Sequence, residues 1–154
     1  TSCRERCRKM RALLQRVTQG SVSVDGIVIG ETGPGLVILV CAMHGDTAEN
    51  VQATAKKIVN LRFFKDDDDR MNRSLLDTGG SALIISQFTL AADTSRGNRP
   101  GFSSAAPPNE GEKLYDLLCE LVADYGVKVG KGQFGGDMQV SLINDGPVTI
   151  WVEK

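Results

Sequence analysis

The sequence predicts a single α+β domain with two β-sheet layers and helices packed against one face. Its 154 residues, 41% of them hydrophobic and 24% charged, are enough to bury one core. Segments with strand patterns outnumber the two amphipathic helical segments, and strands and a long loop separate those two helices. A doubly wound parallel sheet is not favoured, because it would need a helix after nearly every strand.

The first nine residues differ from the rest of the chain. Thr1 to Lys9 is basic and has no hydrophobic period, whereas strand-like sequence follows Met10 directly. We therefore expect residues 1–9 to be a disordered or expression-derived tail, and residues 10–154 to form the domain. Cys3 and Cys7 have no nearby histidine or second cysteine pair, so a metal site in this tail is not favoured.

The first part of the domain is predicted to be β structure. From Leu13 to Val24 apolar and polar residues alternate, and Asp25-Gly26 is the favoured two-residue turn into a second strand. The continuous apolar run LVILVCAM, residues 36–43, then predicts a buried central strand.

A first helix is predicted after that strand. Asp46 and Glu49 have capping-box spacing, and an apolar stripe follows them, formed by Val51, Ala55, Ile58 and Val59. The polar segment from residue 63 to residue 80 is interpreted as a loop. Its run of aspartates could attract a divalent cation, but consecutive aspartates cannot all face one ion, so we favour the loop.

The second half of the chain begins with SALIISQFTL, residues 81–90, which is predicted to be another buried strand. The loop that follows is too long to be only a connector, and this favours a functional role for it. Asn109 and Glu112 are predicted to cap a second helix, whose apolar stripe is formed by Leu114, Leu117, Leu118, Leu121 and Tyr125. Residues 127–154 predict two or three strands joined by glycine-rich turns.

Composition excludes several kinds of site. The four cysteines suggest neither a disulfide framework nor a zinc site, and the lone His44 completes no visible catalytic triad. The glycine-rich GKGQFGGD matches no nucleotide-binding motif, so neither a cofactor nor a metal is expected. With a net charge of −1, binding to RNA would need a local patch. We expect a cytoplasmic protein with no membrane partner.

Two short motifs place small polar groups at strand ends. They are SQFTL, residues 86–90, and NDGPVT, residues 144–149. Taken alone, such residues satisfy turns and strand edges. Together, and with LLQRV, the Gly-Pro-Gly turn and DMQVSLINDGPVT, they resemble the signature motifs of the D-aminoacyl-tRNA deacylases. The resemblance covers everything except the first nine residues.

The resemblance implies a barrel-like deacylase-type fold and hydrolysis of the ester bond of D-aminoacyl-tRNA, and of glycyl-tRNA, as chiral proofreading in translation. The expected partners are the aminoacylated 3' end of tRNA and a second copy of the chain. In this family the bond corresponding to Gly146-Pro147 is cis, and the dipeptide enters the active site of the other subunit, where its carbonyl oxygens recognise the substrate's amino group.

The resemblance also implies which residues surround the ester, namely Ser86, Gln87, Phe88 and Thr89. Thr89 is one candidate nucleophile, but the sequence gives it no obvious base. We therefore favour the family's other mechanism, in which the 2'-hydroxyl of the terminal adenosine assists a water molecule. Three further residues match positions of the family. Arg16 matches the arginine that braces the Gly-Pro motif, and Phe134 and Met138 match residues near the adenosine and the motif.

Two alternatives remain. The chain could be an editing domain of the kind fused to threonyl-tRNA synthetases, which acts on an L-amino acid within a larger protein. It could also be a non-catalytic, dimeric RNA-binding or replication-associated module. No DNA partner is expected, because the chain ends soon after the Gly-Pro strand, without the extension for which DNA-associated roles have been suggested. Deacylation of D-aminoacyl-tRNA separates the enzyme from the module.

Overall fold

The computed structural model describes residues 9–154. The expected tail, with Cys3 and Cys7, therefore lies outside the described residues except for Lys9, which is exposed. The elements, in chain order, are β1 (Arg11–Val24), β2 (Ile27–Thr32), β3 (Gly35–Cys41), α1 (Ala48–Asn60), β4 (Phe64–Lys65), β5 (Met71–Arg73), α2 (Leu75–Thr78), β6 (Ser81–Ser86), a 3-10 turn (Phe88–Ala91), α3 (Pro108–Asp124), β7 (Val129–Lys131) and β8 (Gln139–Glu153).

The long strand β1 organises the main sheet. Its first half pairs with β3 and its second half with β2, while β8 pairs along its other edge; all three pairings are antiparallel. Strands β3, β6 and β7 are parallel neighbours, with α1 and α3 in the crossover connections. The predicted α+β class is confirmed. The parallel pairings, which the sequence did not predict, bring the carboxyl ends of β3 and β6 to the same edge.

The main sheet curls into a nearly closed barrel where β2 approaches β7. A Cβ atom on Gly30 would lie 2.4 Å from the carbonyl oxygen of Lys131, and one on Gly130 would lie 2.8 Å from that of Glu31. Both distances are too short for a side chain, so glycine is required on each strand for this approach. The predicted barrel-like arrangement therefore depends on two glycines.

Each face of the sheet has its own core, because side chains alternate along a strand. Leu14 of β1 and Ile38 of β3 belong to the large core that also contains the buried faces of α1 and α3. The opposite, barrel-side core is smaller and includes Val17, Val37 and Leu83. Both long helices thus pack on one face, as the sequence predicted.

The predicted turn and helix stripes are largely confirmed. Asp25 and Gly26 join β1 to β2 with φ angles of 52° and 79°, as the favoured hairpin turn requires. All four stripe residues of α1 are buried. In α3 the stripe is displaced: Tyr125 is 44% exposed at the helix end, whereas Tyr115 is buried and donates a hydrogen bond of 2.6 Å to the carbonyl oxygen of Ile84.

The predicted helix caps are wrong by one residue or more. The N-cap of α1 is Thr47, whose N–H donates to the Asn50 side chain over 2.9 Å, in place of the predicted Asp46 and Glu49 pair. Asp46 instead turns back and accepts a bond of 2.6 Å from the N–H of Met43. Helix α3 begins at Pro108 because a first-turn proline loses no helical hydrogen bond, so Asn109 lies inside the helix.

Three segments differ from their predicted structure. The strand predicted over residues 81–90 ends at Ser86, since the chain then tightens into the 3-10 turn. The polar segment predicted as a loop contains the β4–β5 hairpin and α2.

Within residues 9–154 no group of three or more His, Cys, Asp or Glu side chains is arranged to hold a metal ion. No helix in the same range has the length and apolar character needed to cross a lipid bilayer.

The third difference concerns the Gly-Pro motif, which lies inside the single strand β8 and not in a turn between strands. Gln15 of β1 is paired with Thr149, and Val17 with Asn144, so the four residues 145–148 stand opposite Arg16 alone. This insertion, here called the Gly-Pro bulge, projects from β8, and Gly146 and Pro147 are exposed. The Gly146–Pro147 peptide bond is cis.

Arg16 attaches the Gly-Pro bulge to the barrel. Its guanidinium is almost wholly buried, with Nη1 donating to the carbonyl oxygen of Phe63 over 2.8 Å and Nε to that of Asp145 over 3.1 Å. The Asp145 carboxylate lies 3.5 Å from Nε and neutralises part of the charge. Asn144 closes the bulge by accepting a bond of 3.1 Å from the N–H of Val148.

Arg16→Met should destabilise the fold, because it leaves the buried Phe63 carbonyl without its donor. We expect a loss of about 2 kcal/mol in the free energy of unfolding, measured by urea denaturation at pH 7. Arg62→Met is the matched control: Arg62 is exposed and donates one bond to Asn72, so its loss should stay below about 0.5 kcal/mol. Equal effects of the two substitutions would contradict a structural role for Arg16.

Asp46 should make stability fall as pH rises. Burial raises the pKa of its carboxyl from 3.8 to about 6, although the N–H of Met43 acts in the opposite direction. The folded state therefore binds more protons than the unfolded state between these values, and stability decreases through that window. In urea titrations from pH 4 to pH 7, Asp46→Asn should become progressively more stable relative to the wild type.

Asp77→Asn provides a control of opposite sign. Hydrogen bonds from the backbone and side chain of Ser74 lower the pKa of Asp77, so this carboxylate stabilises the fold above its ordinary pKa and stops doing so as pH falls. The loss of stability caused by Asp77→Asn, relative to the wild type, should therefore be largest near pH 7. Parallel pH profiles for the wild type and Asp46→Asn would show that Asp46 titrates normally.

Candidate active site

A cleft of about 690 Å³ opens beside the carboxyl end of β6. Ser86, Gln87 and Phe88 form one wall. A second wall comes from the segment that leads into α3, and a third from the connection between β7 and β8 together with the start of β8. The remaining lining residues are His44, Ile85, Phe102, Ser103, Ala105, Ala106, Pro107, Pro108, Phe134, Gly135, Gly136, Asp137, Met138 and Val140.

The first wall exists because the apolar strand β6 stops at Ser86. The N–H of Gln87 still bonds to the carbonyl of Val40 over 2.8 Å, and the chain then turns into the 3-10 turn. Ala91 is buried and anchors the far end of this turn, while Phe88 is 58% exposed. The Phe88 ring contacts the Phe102 ring edge-on, with centroids 5.1 Å apart, and so joins the first wall to the second.

The 3-10 turn begins with two available backbone donors. The N–H groups of Phe88 and Thr89 have no hydrogen-bond acceptor among the described residues. This is expected at the start of a helical turn, where the first N–H groups have no carbonyl behind them. Two adjacent amides of this kind can stabilise negative charge on a carbonyl oxygen.

The polar side chains of the turn offer hydrogen bonds but no strong base. The Thr89 hydroxyl accepts a short bond from Nε2 of Gln87, and Thr89 is exposed next to the cleft without lining it. An amide donor cannot take a proton from a hydroxyl. Nothing in this pair therefore activates Thr89 as a nucleophile.

The second and third walls shape an apolar cleft that lies against a helix end. Pro107 and Pro108 bring the N-terminal end of the 17-residue α3 to the cleft, and with it the positive end of the helix dipole. The Phe134 ring packs 6.1 Å from that of Tyr115, and Met138 Sδ accepts a bond of 3.4 Å from the N–H of Gln133. These contacts fix Phe134 and Met138 at the cleft.

The predicted site residues fall into two groups. Five of them line the cleft together, namely Ser86, Gln87, Phe88, Phe134 and Met138, and Thr89 adjoins it. The second group lies at the Gly-Pro bulge and consists of Gly146, Pro147 and Arg16, which bonds to the carbonyl oxygen of the preceding residue, Asp145. None of the second group lines the cleft of its own chain.

Sequence reasoning missed His44 and Phe102, which also line the cleft. The sequence predicts no role for His44, although it follows β3 and β3 is the parallel neighbour of β6. Had the parallel pairing of β3 and β6 been predicted, the carboxyl ends of both strands would have been expected at one edge, and His44 would have been placed beside Ser86. Phe102 lies in the long loop, whose length was the available signal, but nothing in the sequence indicated its contact with Phe88.

Comparisons with known proteins agree with this arrangement. A D-aminoacyl-tRNA deacylase of Dinoroseobacter shibae is 65% identical over 144 residues, which cover 94% of this chain and 99% of the relative. One from Ruegeria pomeroyi is 61% identical with the same coverage. A solved structure named c-Myc DNA Unwinding Element Binding Protein is 36% identical, with a TM-score of 0.88 over 94% of this chain and 98% of its own.

A second solved structure, described as a probable eukaryotic D-amino acid tRNA deacylase, has a TM-score of 0.82 over 95% of this chain and 100% of its own. At 19% identity it shows a common fold alone. The family model described as D-Tyr-tRNA(Tyr) deacylase matches residues 13–153, which include the cleft, the 3-10 turn and the Gly-Pro bulge. The chain belongs to this deacylase family.

Proposed function

We propose that this protein hydrolyses the ester bond of D-aminoacyl-tRNA and so removes D-amino acids from tRNA during translation. The observation that carries the proposal is the pair of free amides at the start of the 3-10 turn, one on Phe88, which lines an apolar cleft, and one on Thr89, which adjoins it. The products are a free D-amino acid and tRNA. Glycyl-tRNA is a further substrate of the same site, and we expect the protein to act in the cytoplasm.

In the proposed reaction, a water molecule attacks the ester carbonyl carbon. The 2'-hydroxyl of the terminal adenosine orients the water and relays its proton to the leaving 3'-oxygen as the ester C–O bond breaks. The carbonyl oxygen gains negative charge, which the amides of Phe88 and Thr89 stabilise. Phe134 and Met138 hold the adenosine, and the protein supplies position rather than a nucleophile. No cofactor takes part.

Selection for the D-amino acid is assigned to the Gly-Pro bulge of a second subunit. Gly146 and Pro147 are exposed and rigidly braced by Arg16, yet they are absent from the cleft of their own chain. A braced, projecting backbone segment is suited to entering a partner's cleft and presenting carbonyl oxygens to the substrate's amino group. We therefore propose a homodimer in which each bulge completes the other subunit's site.

Thr89→Ala should lower kcat by less than about tenfold, because the free amide of residue 89 remains when the hydroxyl is removed. A substrate ending in 2'-deoxyadenosine should react at least about a hundredfold more slowly with the wild type, since the assisting hydroxyl is missing. Single-turnover deacylation with 3'-linked D-aminoacyl-tRNA measures both effects.

The opposite pattern, with a loss of about ten-thousandfold in Thr89→Ala and normal turnover of the deoxy substrate, would identify Thr89 as the nucleophile. Hydrolysis that stops with a chelator and returns with added metal would contradict a cofactor-free reaction. Binding of D-aminoacyl-tRNA without any turnover by the wild type would instead indicate the non-catalytic RNA-binding module.

Gly146→Ala should reduce deacylation by at least about tenfold without touching any side chain at the ester. Gly146 has φ of +128°, and an added Cβ would lie 2.9 Å from Arg16 Nη2 and 2.8 Å from Val148 Cγ2. The bulge must then shift, which displaces its carbonyl oxygens from the substrate's amino group. Activity should be measured on D- and L-aminoacyl-tRNA.

Gly33→Ala is the matched control, because a Cβ at Gly33 meets no atom of residues 9–154 within 4 Å and its φ is not positive. Sedimentation of each variant shows whether the dimer persists. A Gly146→Ala dimer with full activity and full chiral preference would contradict backbone selection by the bulge. A wild type that remains monomeric at micromolar concentration while fully active would contradict the shared site.

A further inference from the structure

Arg11, the first residue of β1, belongs to neither motif but contacts the 3-10 turn. Its Nη1 donates a hydrogen bond of 2.8 Å to the carbonyl oxygen of Leu90, which lies near the end of that turn. The contact joins residues 79 positions apart in the chain, and the Arg11 side chain is only 21% exposed. A directional, partly desolvated bond from a guanidinium is among the stronger hydrogen bonds in proteins.

The position of the Arg11 side chain is fixed by the end of β8. Arg11 is paired with Glu153, and its guanidinium carbon lies 5.9 Å from the centre of the Trp151 ring. Glu153 Oε1 accepts a bond of 2.8 Å from Trp151 Nε1 and lies 3.9 Å from Arg11 Nε. Stacking and charge thus hold the arginine in one orientation.

Cys41 provides a second contact to the same turn from the other neighbouring strand. It is paired with Arg11 across β1 and β3, and its Sγ lies 3.8 Å from the carbonyl oxygen of Phe88. Burial raises the pKa of this thiol to about 11, so it remains protonated and can donate. Arg11 therefore makes the strong side-chain bond to the turn, and Cys41 makes a weaker contact near the start of the turn, because its single proton also faces the Ala42 carbonyl oxygen at 3.4 Å.

A four-residue 3-10 turn has little internal hydrogen bonding, so its orientation depends on such external contacts. We infer that Arg11 is a positioning residue, which fixes the turn so that the amides of Phe88 and Thr89 point at the reacting carbonyl oxygen. The inference rests on the proposed deacylase function. Donors that stabilise developing charge act only in a narrow range of directions, and loss of their support lowers kcat more than it weakens binding.

The test measures deacylation of D-aminoacyl-tRNA by the wild type, Arg11→Met, Arg11→Lys and the exposed control Arg62→Met. Each protein is first checked for folding and for dimer formation. Arg11→Met should lower kcat by roughly tenfold to a hundredfold, with KM changed by less than about twofold. Arg11→Lys should regain part of kcat, because an ammonium can still donate to the Leu90 carbonyl although it lacks the planar group that stacks on Trp151. Arg62→Met should match the wild type.

Hydrogen exchange gives a readout that does not depend on turnover: the amide of Leu90 should exchange faster in Arg11→Met than in the wild type. If Arg11→Met fails to fold, Cys41→Ala tests the same turn and should also lower kcat at constant KM. Normal kcat in folded Arg11→Met, or a loss that Arg11→Lys does not reduce, overturns the inference. An inactive wild type would instead refute the proposed function itself.

Discussion

The buried guanidinium of Arg16 is the interaction on which the arrangement of this protein depends. A charged group with only 4% exposure is unfavourable unless hydrogen bonds compensate its burial, and here Nη1 donates to the backbone oxygen of Phe63 and Nε to that of Asp145. Phe63 follows α1, and Asp145 opens the Gly-Pro bulge. One side chain of β1 therefore joins the helical layer, the central strand and the projecting bulge, so that displacing the Phe63 segment or the bulge leaves this buried charge with fewer partners.

The same strand supports the other half of the proposed site. Arg16 lies near the middle of β1 and braces the bulge, whereas Arg11 lies at its start and contacts the 3-10 turn. The cleft itself lies where β3 and β6 end side by side, an edge that parallel pairing creates without any special sequence. Position along β1 thus determines which half of the site each arginine supports.

Much of the fold could be predicted because local patterns agreed with tertiary structure. The Asp25-Gly26 turn and the apolar stripe of α1 are where their patterns place them. The strand ending at Ser86 was not predictable from periodicity, since Phe88 and Leu90 continue the apolar pattern although the chain has already turned. Nor could the single strand β8 be foreseen, because a glycine-proline pair is an ordinary turn signal and only the register against β1 shows it to be a bulge.

The residues of the site were accessible only through the resemblance, and there is a physical reason for this. Ser86, Gln87 and Thr89 carry hydroxyl and amide groups that serve equally well at any strand end, and the proposed chemistry uses backbone amides and carbonyls that every residue possesses. A site built from backbone has no distinctive side-chain pattern. What is distinctive is the set of groups that fix the backbone, namely Arg11, Arg16 and Gly146, and none of their side chains needs to reach the ester. For such a site, substitutions that affect catalysis should be sought among the residues that hold the chain in place as much as among those that line the cleft.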